Sequence, residues 1–162
     1  MIFRYWSGII DLGLLYHKGT HIELICYSDA NFTRYKVDRK STSGTCHFLG
    51  HSLISRFSKK HNSVALSTTQ AEYIAAGSCC AQVLSMKQPL RDFGIYHDKI
   101  PIMCGNTSAI NLLKNPIQHS RTKHIEIRYH FLRDHVQKED ISFFFSTEKQ
   151  LVDIFTKPLN EE

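Results

Sequence analysis

Nowhere in this chain of 162 residues does an apolar run approach the roughly 20 residues that a membrane-spanning helix needs. The opening stretch, MIFRYWSGII, holds no sustained apolar core followed by a small-residue cleavage site, so neither insertion nor secretion is expected. No CxxC spacing occurs among the five cysteines, Cys26, Cys46, Cys79, Cys80 and Cys104, and their number is odd. That argues against a disulfide framework. Their mostly apolar surroundings point instead to reduced, buried thiols in an intracellular protein, cytoplasmic, nuclear or both. Internal repeats, low-complexity tracts and linkers are also missing, which leaves one domain as the expectation at this length.

The composition that remains, 42% hydrophobic and 22% charged, is that of a globular α/β protein rather than a disordered one. A formal charge of +5, with ten histidines besides, favours an acidic partner, of which nucleic acid is the commonest.

Along the chain, the first twenty residues end in a turn-like cluster, His17 to Thr20, and form a lead-in. Ile22 to Tyr27 is β-favouring and nearly all apolar, as a central strand is, and stops at Ser28 and Asp29. A polar loop (33 to 43) follows, then a strand from Gly44 to Leu49, a turn at Gly50 and His51, and a third strand to about Phe57. Ser67 with Gln70 forms a capping box for a long helix reaching about Met86, with Glu72 in its first turn. Ala75, Ala76, Cys79 and Val83 share the side of Glu72 at helical spacing, so this carboxylate is aligned with the buried stripe.

Ile100 to Cys104 reads as a fourth strand, with Gly105 as its exit and Asn106 as the cap of a short helix that Pro116 terminates. Ile125, Tyr129, Leu132 and Val136 mark an amphipathic helix whose other faces carry Arg128, His130, Arg133 and His135. Ile141 to Phe145 is a fifth strand, and Thr147 with Gln150 caps a last helix that contains Asp153 and ends at Pro158. The expected order is β, β, β, α, β, α, α, β, α.

Three acids then stand at suggestive places: Asp29 at a strand end, Glu72 early in the next helix, and Asp153 in the last. Ligands in α/β sheets gather at strand ends, and hard divalent cations want carboxylate oxygens converging from different elements. From spacing alone, ordinary loop and helix acids are the commoner explanation.

The stretches YSDANF (27 to 32), DRKSTSG (38 to 44), VALSTTQAEYIAA (64 to 76), CGNTSAI (104 to 110), HSRTKHIEIRYHF (119 to 131) and QLVDIFTKPL (150 to 159) resemble, in order, the signature blocks of copia-type retrotransposon ribonuclease H domains. RYWSGIIDLGLLY (4 to 16) resembles the connector that joins reverse transcriptase to that domain. The resemblance implies a connector remnant at 1 to 20 and a ribonuclease H-like domain at 21 to 162. The implied fold is a five-stranded mixed sheet, three antiparallel strands and then two parallel, flanked by helices. It further implies cleavage of the RNA strand of an RNA/DNA hybrid with magnesium or manganese, and the parent element's reverse transcriptase as a partner. Asp29, Glu72 and Asp153 fall on three of the four catalytic, metal-binding carboxylates.

The fourth is missing. Where the family reads CDN, this chain has Cys104, Gly105 and Asn106, and a glycine can offer only an uncharged backbone carbonyl. Loss or strong impairment of hydrolysis is the expectation, with two other readings open: an active hybrid endoribonuclease, or a domesticated protein-interaction module. Arg56 and Ser85 stand where tryptophan is common in the family, and Asn31 where aspartate is. Ile54 and Arg56 should share a strand face, which would bury a guanidinium if that face packs inward, and Ser85 should leave a gap. Arg121, Lys123, His124 and Arg128 are the expected phosphate grip, with a solvated basic face as the alternative. His119, His124, His130 and His135 invite a zinc reading, but their spacing is not that of a closed four-ligand site.

Overall fold

A computed structural model describes residues 22–33, 37–114, 126–146, 151–152 and 156, with the backbone alone at 126–129. The elements are β1 (Leu24–Asn31), β2 (Thr42–Leu49), β3 (Ser52–Lys60), α1 (Thr68–Asp92), β4 (Ile100–Cys104), α2 (Thr107–Lys114), α3 (Glu126–Gln137) and β5 (Ile141–Phe145). They follow the expected order. The lead-in at 1 to 20 and the last capping box fall outside the described residues, as does most of the last helix, of which only Leu151, Val152 and Thr156 are described.

The strands form one five-stranded sheet in the order β3-β2-β1-β4-β5. β1 to β3 pair antiparallel, whereas β1 with β4 and β4 with β5 pair parallel, as expected. The tight reversal between β2 and β3 rests on Gly50, whose φ of 59° suits glycine and whose N–H donates to Glu23 O at 2.8 Å.

β1 runs further than its apolar stretch suggests. Polar residues 28 to 31 stay in the ladder because each has a β2 partner, Asp29 facing Gly44 and Asn31 facing Thr42. Asp29 therefore lies two positions inside the strand rather than at its end. α1 also outruns its expected stop at Met86. Pro89 sits inside the helix, on its exposed side. The chain turns out only at Gly94 (φ 77°), whose N–H bonds Arg91 O at 2.9 Å while that of Ile95 bonds Leu90 O at 2.9 Å. The helix begins at Thr68, so Glu72 opens its second turn rather than lying in the first.

α1 covers one face of the sheet with Ala76, Cys79, Cys80 and Val83, all 0% exposed, over Leu24, Cys26, Ile100 and Ile102. Leu132 of α3 joins this core, as the helical spacing requires. Lys87 of α1 is buried and its Nζ lies 2.6 Å from Asp140 Oδ1, while Asp140 Oδ2 is 3.0 Å from His135 Nδ1. This cluster ties α1, α3 and the entry to β5.

Two expected defects take a different form. A register shift between His47 and Phe48 leaves Ile54 as an extra residue in β3, and Arg56 beyond it is exposed on the edge strand. No guanidinium is buried there. Ser85 is likewise exposed, with its hydroxyl donating to Ala81 O at 2.9 Å. It borders an open apolar hollow of about 460 Å³ with Ile54, Met86, Leu90 and Phe93. The gap is at the surface, so the full cost of a core cavity does not arise.

Candidate active site

α1 starts where it does because Ser67 Oγ accepts from Gln70 N at 3.1 Å, while Gln70 Oε1 accepts from Leu66 N at 2.6 Å. This is the expected capping box with one change: the return bond goes to the residue before the cap. The register it sets turns Glu72 inward, 7% exposed, beneath the end of β4.

Asp29, 8% exposed, is brought to the same end of the sheet by β1. Cys104, the last residue of β4, pairs with Ser28 in the parallel ladder, so Gly105 stands level with Asp29 on the neighbouring strand. The Cys104 thiol lies 4.0 Å from Glu72 Oε2, within reach of a weak S–H donation to the carboxylate. Burial pushes this thiol up to about 12, and the negative charges of Glu72 and then Asp29 push in the same direction. One sulfur thus senses both acids.

The Thr156 hydroxyl donates a short hydrogen bond to Asp29 Oδ2, and Asn31 Nδ2 donates to Thr156 O at 3.0 Å. Thr156 is itself 0% exposed. The motif blocks contain Thr156 and Cys104 but mark neither as a neighbour of the acids, and in them Asn31 stands only as a lost acid. No periodicity marks Thr156. The one sequence signal is its place in QLVDIFTKPL, three residues after Asp153.

Of the candidate residues, Asp29, Glu72 and Gly105 come together. Asp153, Arg121, Lys123 and His124 lie outside the described residues, and Arg128 falls in α3 where only the backbone is described. Among the described residues, no group of three or more His, Cys, Asp or Glu is arranged to hold a metal ion. His130 is exposed and His135 faces Asp140, which gives the zinc reading no support there. Among the described residues, no helix is long and apolar enough to cross a membrane.

No family model matches the chain. It is 39% identical over 161 residues to the retrovirus-related Pol polyprotein from transposon RE1 of Arabidopsis thaliana, covering 98% of this chain and 11% of that protein. Identity is 36% over 165 residues to the Pol polyprotein from transposon TNT 1-94 of Nicotiana tabacum, covering 95% and 12%. The chain thus spans only 11–12% of the length of these Pol polyproteins. Among solved structures, the N-terminal RNase H domain of Rv2228c from Mycobacterium tuberculosis superposes with a TM-score of 0.60 at 7% identity, over 83% of this chain and 91% of that one. LC11-RNase H1 in complex with an RNA/DNA hybrid superposes at 0.55 with 11% identity, over 82% and 93%. At such identities the superpositions speak to the fold. The chain belongs to the copia-type retrotransposon Pol polyproteins, as a segment with the ribonuclease H fold.

Proposed function

We propose that this domain binds RNA/DNA hybrid across the sheet end that carries Asp29 and Glu72, and that hydrolysis there is lost or strongly impaired. The observation that carries the reading is the level of Gly105: it stands beside Asp29, at the position that would supply a further carboxylate, and it has no side chain. Asp29 and Glu72 are hard oxygen donors from separate elements and fit a divalent cation such as magnesium. They are the residues that would hold it, with Asp153 as the further family ligand. Such an ion, when bound, activates a water and stabilises the leaving oxygen of a phosphodiester displacement.

What this chain's own residues do is narrower. Thr156 fixes Asp29 through its hydroxyl, and the protonated Cys104 thiol sits against Glu72, so both carboxylates are held before any ligand arrives. Gly105 removes one negative charge from that set. If transition-state stabilisation falls by about 4 kcal/mol, the rate falls on the order of a thousandfold. The net charge of +5 supports an anionic partner, and Arg121, Lys123, His124 and Arg128 are the residues expected to meet its phosphates.

The test is cleavage of a labelled RNA/DNA hybrid with magnesium or manganese, run beside a Gly105→Asp variant. We expect little or no cutting by the unaltered chain and a gain in the variant. Robust cutting by the unaltered chain, abolished by Asp29→Asn, would establish the active-enzyme alternative. Hybrid binding should weaken with salt and with Arg121→Ala and Lys123→Ala; salt-independent or absent binding favours a protein-interaction role.

A further inference from the structure

A recess of about 430 Å³ opens at the β3 edge of the sheet, between that edge and α1. Gln70, Ile74 and Ser78 line it from α1 at spacings of four, a single helical face. Glu72 points roughly 200° around the helix from Gln70, so this recess is separate from the acid pair. From β3 come Phe57 and Lys59, two residues apart on one strand face and therefore about 7 Å from each other.

The lining has a definite chemical character. Among the described residues, Lys59, Lys60 and His61 border it and no carboxylate does. Lys60 is tied to Asp38, whereas Lys59 is exposed. His61 is buried with its Nε2 2.5 Å from Ser43 Oγ, which stiffens the wall between β2 and the loop. Gln70 spends its carbonyl oxygen on Leu66 N and keeps its NH2 group as a donor. Phe57 is 38% exposed and offers an aromatic surface beside the ammonium. A cation, an aromatic ring and amide donors without acids suit an anion that carries a flat ring, and a nucleotide is the common example. The volume is at the low end of small-ligand sites, about 300–1,000 Å³, and too small for a duplex.

Position adds a second argument. Lys59 pairs with Ser43, which pairs in turn with Ala30, the residue after Asp29. The recess is therefore at the same end of the sheet as Asp29, offset by two strand spacings or roughly 10 Å. We propose that it takes one unpaired nucleotide of a single strand running off the nucleic acid held at the acid end, with the base against Phe57 and the phosphate on Lys59. The proposal rests on the hybrid-binding reading only for what occupies the acid end.

The test uses fluorescence anisotropy with three probes: a blunt RNA/DNA hybrid, the same hybrid with a four-nucleotide DNA overhang, and that tetranucleotide alone. We expect the overhang to tighten binding about tenfold, as stacking of one base allows. Phe57→Ala and Ser78→Trp, which remove the platform and fill the recess without changing charge, should erase that gain and leave blunt-hybrid affinity unaltered. Lys59→Ala should lower the salt slope for the overhang probe by about 0.7, the value for one phosphate of a single strand. Equal affinity with and without the overhang, or a gain that survives both uncharged variants, overturns the proposal and leaves hybrid binding standing. Should neither hybrid bind while the tetranucleotide binds and loses affinity in Phe57→Ala, the recess stands and the hybrid reading falls.

Discussion

Replacing Gly105 by aspartate should make the stability of this domain depend on magnesium, and the size of the effect follows from the ladder. Strands in a sheet lie about 4.8 Å apart, so a carboxylate at position 105 would sit roughly 6 Å from that of Asp29. At an effective dielectric near 20, two unit charges at that distance repel by about 2.8 kcal/mol; half-exposure of position 105 reduces this to about 1–2 kcal/mol. In a domain of this size, each kcal/mol moves the melting temperature by about 2–4 °C, so the ion-free variant should melt roughly 2–8 °C below the parent. Magnesium at ten times its dissociation constant returns about 1.4 kcal/mol by mass action, which recovers most of that loss. Thermal unfolding of both proteins, first in chelator and then across a magnesium series, measures the two quantities separately. Equal melting temperatures in chelator and parallel magnesium curves would refute the reasoning, because position 105 could not then share a field with Asp29.

Three further outcomes are expected. Lys87→Met should cost about 2–3 kcal/mol by chemical denaturation, somewhat below the cost of breaking a fully buried ion pair, because Asp140 retains 28% side-chain exposure. Lys87, and then His135, hold the Asp140 carboxyl below its ordinary value of 3.8. The stabilisation is therefore full above that value and is lost as pH falls through the depressed one, so an acid titration of Lys87→Met should show a shallower loss than the parent. Thr156→Val should destabilise by about 1.5–3 kcal/mol, since it strips a donor from a buried carboxylate, and a change below about 0.5 kcal/mol would mean that this contact is dispensable. Iodoacetamide at pH 8 should modify none of the five cysteines in the folded protein and all of them in urea: every one is buried, and burial pushes the Cys46, Cys80 and Cys104 thiols up to about 12. Rapid labelling without denaturant would contradict that packing.

Most of the architecture was legible because the signals that mark it are local. The apolar stretch at 22 to 27, the capping box at Ser67 and the cap at Asn106 each announce an element without reference to distant residues, and all three hold. What could not be read depends on partners. Residues 28 to 31 look like a loop until β2 supplies their hydrogen bonds. The long helix is expected to reach only about Met86, yet the exposed side of α1 accommodates Pro89 and Gly94 ends the helix instead. The extra residue in β3 that turns Arg56 to solvent is invisible without the β2 register. At the site, the placement of Asp29, Glu72 and Gly105 followed from matched motifs, whereas the contacts of Thr156 and Cys104 come from packing across the sheet and carry no sequence period.

The hydroxyl that reaches Asp29 comes from 127 residues further along the chain. Chains are synthesised at about 5–20 residues per second, so roughly 6–25 s separate the addition of this aspartate from that of its donor. A nascent chain can pair its first three strands in that interval while its acid centre stays unfinished, and a product that ends between positions 146 and 155 would carry all five strands yet never acquire that contact.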